Sequence, residues 1–165
     1  MDKYQKLKED GIAHGMCEKF QNEWVEPTAA ELCRMFFRGS DFCIEHDWPS
    51  MEMARKFFSI EELTANGIYI EDGTSEGQSN VAVLDNAEVH IYVAPFKICD
   101  VYARHNSKVH LHLSTGSFCY ISVLDNAEVH VDEKMGGARL KASYYSGSIV
   151  EPDMFDTIHD KNKEE

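Results

Sequence analysis

An eight-residue string stands twice in this chain of 165 residues, and it constrains the fold more than any other feature. Val83, Leu84, Asp85, Asn86, Ala87, Glu88, Val89 and His90 return forty residues on as Val123, Leu124, Asp125, Asn126, Ala127, Glu128, Val129 and His130. Midway between the copies, Ala103, Arg104, His105, Asn106, Ser107, Lys108, Val109 and His110 keep the same pattern of sizes and polarities, so the unit is twenty residues. A weaker fourth copy places Ser146, Gly147, Ser148 and Ile149 where Asn126, Ala127, Glu128 and Val129 would be expected. A fixed period of this length is the mark of a solenoid, in which each coil buries the face its neighbour leaves bare.

Adding twenty to a position gives its place in the next coil. Apolar columns read in this way alternate with polar ones, as strand geometry demands. Val81, Val101 and Ile121 form one column, and Val83, Ala103 and Val123 a second. Val89, Val109 and Val129 form a third, and Ile91, Leu111 and Val131 a fourth. These four are the expected core. Asn86, Asn106 and Asn126 form a polar column beside small residues, which reads as a tight corner whose amides bond along the stack in left-handed backbone. Cys99 and Cys119 stack as well, and read as paired thiols. After Met135, Gly136 and Gly137 the pattern weakens, because Lys141 and Ser143 fall in apolar columns. Either the register slips by one there, or the last coil is an open edge available to another chain.

The expected class is therefore mainly β with an α-helical N-terminal cap: a short single-stranded β-solenoid, or β-helix, of about four 20-residue coils. Its parts are a helical head over 1–66, the repeats over 67–150 and an acidic flexible tail over 151–165. In the head, residues 1–24 read as a helical or frayed arm interrupted at Gly11 and Gly15. Thr28 with Glu31 and Ser59 with Glu62 match capping boxes, Gly39 stops the first of these helices, and Asn66 and Gly67 end the second. Shorter helices are expected over 41–45 and from Pro49. Cys33 and Cys43 read as small hydrophobes packed among them.

Net charge is −13, but its placement decides more than its size. Residues 1–72 carry 15 acids against 8 bases, residues 73–150 carry 8 against 6, and the remainder 6 against 2. This balance argues against direct nucleic-acid binding, including a helix-turn-helix reading of the head. No stretch has the run of about 18 apolar residues that spans a bilayer, and five cysteines without a CxxC pair suit reduced thiols. The expected setting is cytoplasmic, without a membrane partner.

Between the apolar columns lies an outward grid: Glu88, Lys108 and Glu128; then His90, His110 and His130; then Tyr92, His112 and Asp132. Stacked imidazoles with a carboxylate nearby are the chemistry of a divalent-metal site, so His90, His110, His112, His130 and Asp132 are the metal candidates. The plainer reading is that duplication copied a solvated face along with the core, and on it no metal, cofactor or catalytic residue is assigned. The His110-x-His112 pair lacks the following glutamate of cupins, and the strict aliphatic-glycine pattern of hexapeptide acyltransferases is missing. No Walker or Rossmann signature stands in the required context. Tyr92, Tyr144 and Tyr145 are the interface candidates.

The string Asp-Asn-Ala-Glu-Val resembles the short repeats of uncharacterised phage and mobile-element proteins that look like β-solenoids. The Gly67–Ile70 segment after the helical head, and the stretch Val101 to Ser107, are similar to that group too. The resemblance implies a fold and an origin, but no activity. The expectation is a non-enzymatic structural or protein-interaction protein of phage or prophage origin, a homo-oligomer that can also contact a host or phage protein, in the host cytoplasm or the virion. The alternatives are an acidic inhibitor blocking the nucleic-acid site of a host protein, and a metal-dependent enzyme using the histidine grid.

Overall fold

The computed structural model describes residues 2–163, in two compact units that meet in sequence at Asn66 and Gly67. The head holds α1 (Gln5–Ala13), α2 (Glu18–Glu23), α3 (Ala29–Arg38), α4 (Ser40–His46), α5 (Met51–Phe57) and α6 (Ile60–Ala65). Both capping boxes form: Thr28 Oγ1 accepts from Glu31 N at 3.2 Å, and Ser59 Oγ from Glu62 N at 3.0 Å. Each satisfies a backbone donor that the first turn of a helix leaves unpaired. Residues 2–24 take the helical alternative and are packed rather than frayed. Leu7 and Trp24 are buried, Trp24 Nε1 donates to Asp2 Oδ2 at 3.0 Å, and Tyr4 stacks on Phe58. Gly11, expected to interrupt, lies inside α1, where a Cβ would stand 2.4 Å from the Met16 side chain. Cys33 and Cys43 are buried among these helices, and burial pushes the Cys33 thiol up to about 11.

The second unit is a β-solenoid of about four turns with short strands at either end. In chain order its strands are β1 (Ile68–Tyr69), β2 (Gly73–Glu76), β3 (Asn80–Val83), β4 (Glu88–Val93), β5 (Ile98–Ala103), β6 (Lys108–Leu113), β7 (Phe118–Val123), β8 (Glu128–Lys134), β9 (Arg139–Tyr144), β10 (Ser148–Ile149) and β11 (Thr157–Asp160). Odd-numbered strands make one parallel sheet, β1-β3-β5-β7-β9-β11, and even-numbered strands the other, β10-β8-β6-β4-β2. A coil is thus two six-residue strands and two tight corners, which accounts for the twenty-residue period.

The core lies between the sheets and contains all four expected apolar columns, in register from coil to coil. Val93 with Leu113, and Cys99 with Cys119 and Leu140, extend it. Full burial raises the Cys119 thiol far above its ordinary range, and Cys99 is pushed up to about 12, so both are unreactive thiols packed as hydrophobes. At one corner the left-handed residues are Asp85 (φ 58°), His105 (φ 63°) and Asp125 (φ 54°), each one place before the asparagine expected to adopt that conformation. The asparagines do bond along the stack: Asn126 Nδ2 donates to Asn106 Oδ1 at 3.3 Å. The opposite corner places Phe96 (φ 59°), Gly116 (φ 67°) and Gly137 (φ 77°) in the equivalent left-handed position.

At the C-terminal end one of the two alternatives is found, and the expectation of a flexible tail is corrected. The register does slip, at a bulge in β8 opposite Leu111 and His112, after which Cys119 faces Leu140 and Ile121 faces Ala142. That takes Lys141 and Ser143 out of the apolar columns: Lys141 is exposed, and Ser143 is buried with its hydroxyl against that of Tyr120. In the odd-numbered sheet the last coil is not itself the edge, because the segment read as a flexible tail supplies β11, parallel to β9, and β11 becomes the edge strand. Met154 and Phe155, just before it, pack on the core. The expectation rested on the segment's charge and its shortage of apolar residues, and gave these two too little weight; Glu164 and Glu165 lie outside the described residues.

Candidate functional site

The outward face of β4, β6 and β8 carries the histidine grid, because parallel pairing in register stacks like positions. The rings of His90 and His110 stack at 4.3 Å, those of His110 and His130 at 4.9 Å, and Tyr92 lies on His112 at 4.2 Å. One sequence-derived position moves. Asp132 does not stand beside His112 in the ladder, where Glu133 takes that place; it is the extra residue of the bulge. Bulges re-aim a side chain, and this one turns Asp132 inward along the face toward three histidines.

The contacts are close. His90 Nδ1 stands 2.9 Å from His112 Nε2. Asp132 Oδ2 is 3.6 Å from His112 Nε2 and 3.9 Å from His90 Nδ1. His110 bonds to two carboxylates, through Nε2 to Glu88 Oε1 at 2.8 Å and through Nδ1 to Asp132 Oδ1 at 3.2 Å. His130 lies outside this group and is hydrogen-bonded to Glu128, whose carboxyl is held below its ordinary range by that bond. Partial burial works against charge on His110, yet its bonds to Glu88 and Asp132 outweigh it and raise the imidazole. Burial lowers His112 below its ordinary range more than Asp132 raises it, and the neighbouring His90 adds to the lowering.

Sequence reasoning missed a second feature at the corner between β4 and β5. Phe96 is 77 % exposed, Ile98 64 % and Tyr92 42 %. With Gly77, Asn80, Lys97 and Asp100 these residues line a groove of about 430 Å³. The ring of Phe96 lies against Gly116, where a Cβ would approach it to 2.5 Å. The signal was present: Phe96 fills a corner position that later coils give to glycine. Of the other two tyrosines expected at an interface, Tyr144 is paired with Asp160 of β11 and donates from its hydroxyl to Gly147 O, and Tyr145 O accepts from the Asn162 side chain. The tail therefore occupies the strand edge beside them.

These features define a two-sided parallel β-solenoid with a polar histidine face and an apolar corner. Compared with known proteins, the chain matches no family model, no curated protein and no solved structure. Among the described residues no helix is long and apolar enough to cross a membrane.

Proposed function

We propose that this chain is a non-enzymatic interaction protein, a rigid β-solenoid that self-associates through the corner formed by Tyr92, Phe96 and Ile98. The observation that carries this reading is Phe96. A bulky side chain in left-handed backbone costs about 1–2 kcal/mol, and the same position in later coils is glycine. Here the strain is combined with a ring that is 77 % exposed, so folding alone gives it little return.

A second copy is the occupant that fits. A two-fold contact requires a self-complementary patch, and the apolar trio is flanked by one cation, Lys97, and one anion, Asp100. The solenoid is also the part of the chain where charge is nearly balanced, so two copies meet there with the least repulsion. A phage or mobile-element origin is part of the proposal and rests on the repeat resemblance alone.

Light scattering on the untagged chain over a range of concentrations tests the reading, with Phe96→Asn and Ile98→Ser as variants. Asparagine tolerates left-handed backbone, so Phe96→Asn removes the ring without adding strain. A defined oligomer that dissociates in both variants supports the proposal. A wild-type monomer at every concentration, or an oligomer that both variants leave intact, overturns it.

A further inference from the structure

The three donor atoms His90 Nδ1, His112 Nε2 and Asp132 Oδ2 stand 2.9, 3.6 and 3.9 Å apart. A circle through three points at those separations has a radius of about 2.0 Å, which is the length of a bond from zinc to nitrogen or carboxylate oxygen. One point is therefore at bonding distance from all three at once. We propose that this point is a site for a first-row divalent cation, held by two imidazoles and one carboxylate.

Three independent features of the chain converge on it. The repeat delivers His90 from β4 and His112 from β6 on neighbouring strands. The β8 bulge, absent from the other two strands of the face, delivers Asp132; in unbroken register this residue would be the ladder partner of His112, and Glu133 now holds that position. The remaining contacts are of the kind that orient ligands around a metal: His110 Nδ1 stands 3.2 Å from both oxygens of Asp132, so it can hold Oδ1 while Oδ2 faces the triangle, and Nε2 is bonded to Glu88. Asp132 and Glu88 bring two carboxylates to this part of the face, which favours a cation.

The donor set excludes the hard ions. Two imidazoles favour zinc, iron, cobalt or nickel over calcium and magnesium, which prefer all-oxygen shells. Asp132 and His90 are also partly open to solvent, so water can complete the coordination from the outer side.

Zinc titration of the untagged, metal-stripped full chain by calorimetry tests this, in a Cys17→Ser background that removes the exposed thiol. The expected result is one ion per chain, with affinity falling about tenfold or more in His112→Ala and Asp132→Asn and unchanged in His130→Gln. His130 shares the face but lies outside the triangle, so it controls for general stickiness. Absence of saturable binding, or equal affinity in all three variants, overturns the site. Cobalt on the Cys17→Ser chain gives a reading that needs no change in the cluster. Visible bands of a nitrogen- and oxygen-ligated ion, abolished by one equivalent of zinc, support the site; the spectrum of the hydrated ion overturns it.

Discussion

Arg104 donates from Nε to Asp125 Oδ2 at 2.8 Å, from a column position that is leucine in the coils on both sides. Leu84, Arg104 and Leu124 are all buried, so the guanidinium sits where the repeat calls for an apolar side chain. Nη1 also donates to the Tyr102 hydroxyl at 2.9 Å. Asp125 in turn accepts from the backbone N of His105 at 3.1 Å. One carboxylate thus ties a buried cation to the corner of the preceding coil.

Removing that carboxylate should cost more than removing the cation. Asp125→Ala takes the carboxylate bonded to Nε away from a guanidinium that is only 9 % exposed, and loses hydrogen bonds to a charged group, a change of about 1.5–3 kcal/mol. Arg104→Leu restores the column found on either side and is expected to cost less than about 1 kcal/mol, because burying the guanidinium is itself expensive. Urea unfolding of the two variants reads the order directly.

The same pair sets a pH dependence. The hydrogen bond from Arg104 holds the Asp125 carboxyl below its ordinary range, partial burial opposes this, and the bond from His105 N adds to the lowering. A lowered folded-state value means the contribution is fully present above the ordinary aspartate range and is lost as pH falls through the folded value. The acid limb of a stability-against-pH curve should therefore flatten in Asp125→Asn, with no change at neutral pH in its slope.

Ser107 offers a stabilising substitution. Its hydroxyl is buried without a hydrogen-bond partner, between Ala87 and Ala127 in the same column. Desolvating a hydroxyl and leaving it unpaired costs about 1–3 kcal/mol. Ser107→Ala should raise the unfolding midpoint in urea without altering its slope, by an amount on the order of 1 kcal/mol.

Gly147 is the opposite case. It turns the chain into β10 at φ 92°, and a Cβ there would stand 2.4 Å from the backbone oxygen of Ala127. A backbone atom in a sheet cannot step aside as a side-chain tip can. Gly147→Ala should destabilise by about 2 kcal/mol or more, whereas Gly136→Ala, where a Cβ meets nothing, should be close to neutral. Thermal unfolding of the two variants side by side tests the contrast.

The period was legible because a parallel ladder repeats its environment at each coil, so Val89, Val109 and Val129 meet identical demands. The outward grid followed from the same arithmetic. That a coil has two straight sides was harder to see, since residues 94–97 share no residue type with 114–117 that marks a corner. The aim of Asp132 was hidden for a different reason: a one-residue bulge looks like a fading repeat until Leu140 is matched to Cys119 at an offset of twenty-one. Phe96 escaped notice because backbone conformation, not composition, makes it unusual.

Asp156 carries the last prediction, because it anchors the segment that closes the solenoid. Its carboxylate accepts from the backbone N of Leu140 at 2.8 Å and from Lys134 Nζ at 3.3 Å, while its own N donates to Leu140 O. The bond from Leu140 N, reinforced by Lys134, holds the carboxyl below its ordinary range. Beyond it, β11 covers the strand edge of β9 with Thr157, Ile158, His159 and Asp160. An uncovered strand of a parallel sheet is a template for pairing with another chain. Asp156→Ala should therefore loosen this end without unfolding the coils, giving faster amide exchange in β9 and β11 and unchanged exchange in β5 and β6. Truncation after Val150 should go further and produce concentration-dependent aggregation, because the edge of β9 over Lys141–Tyr144 then loses its cover while its other edge stays on β7. If the truncated chain stays as soluble as the whole one, edge protection is not what the acidic segment supplies.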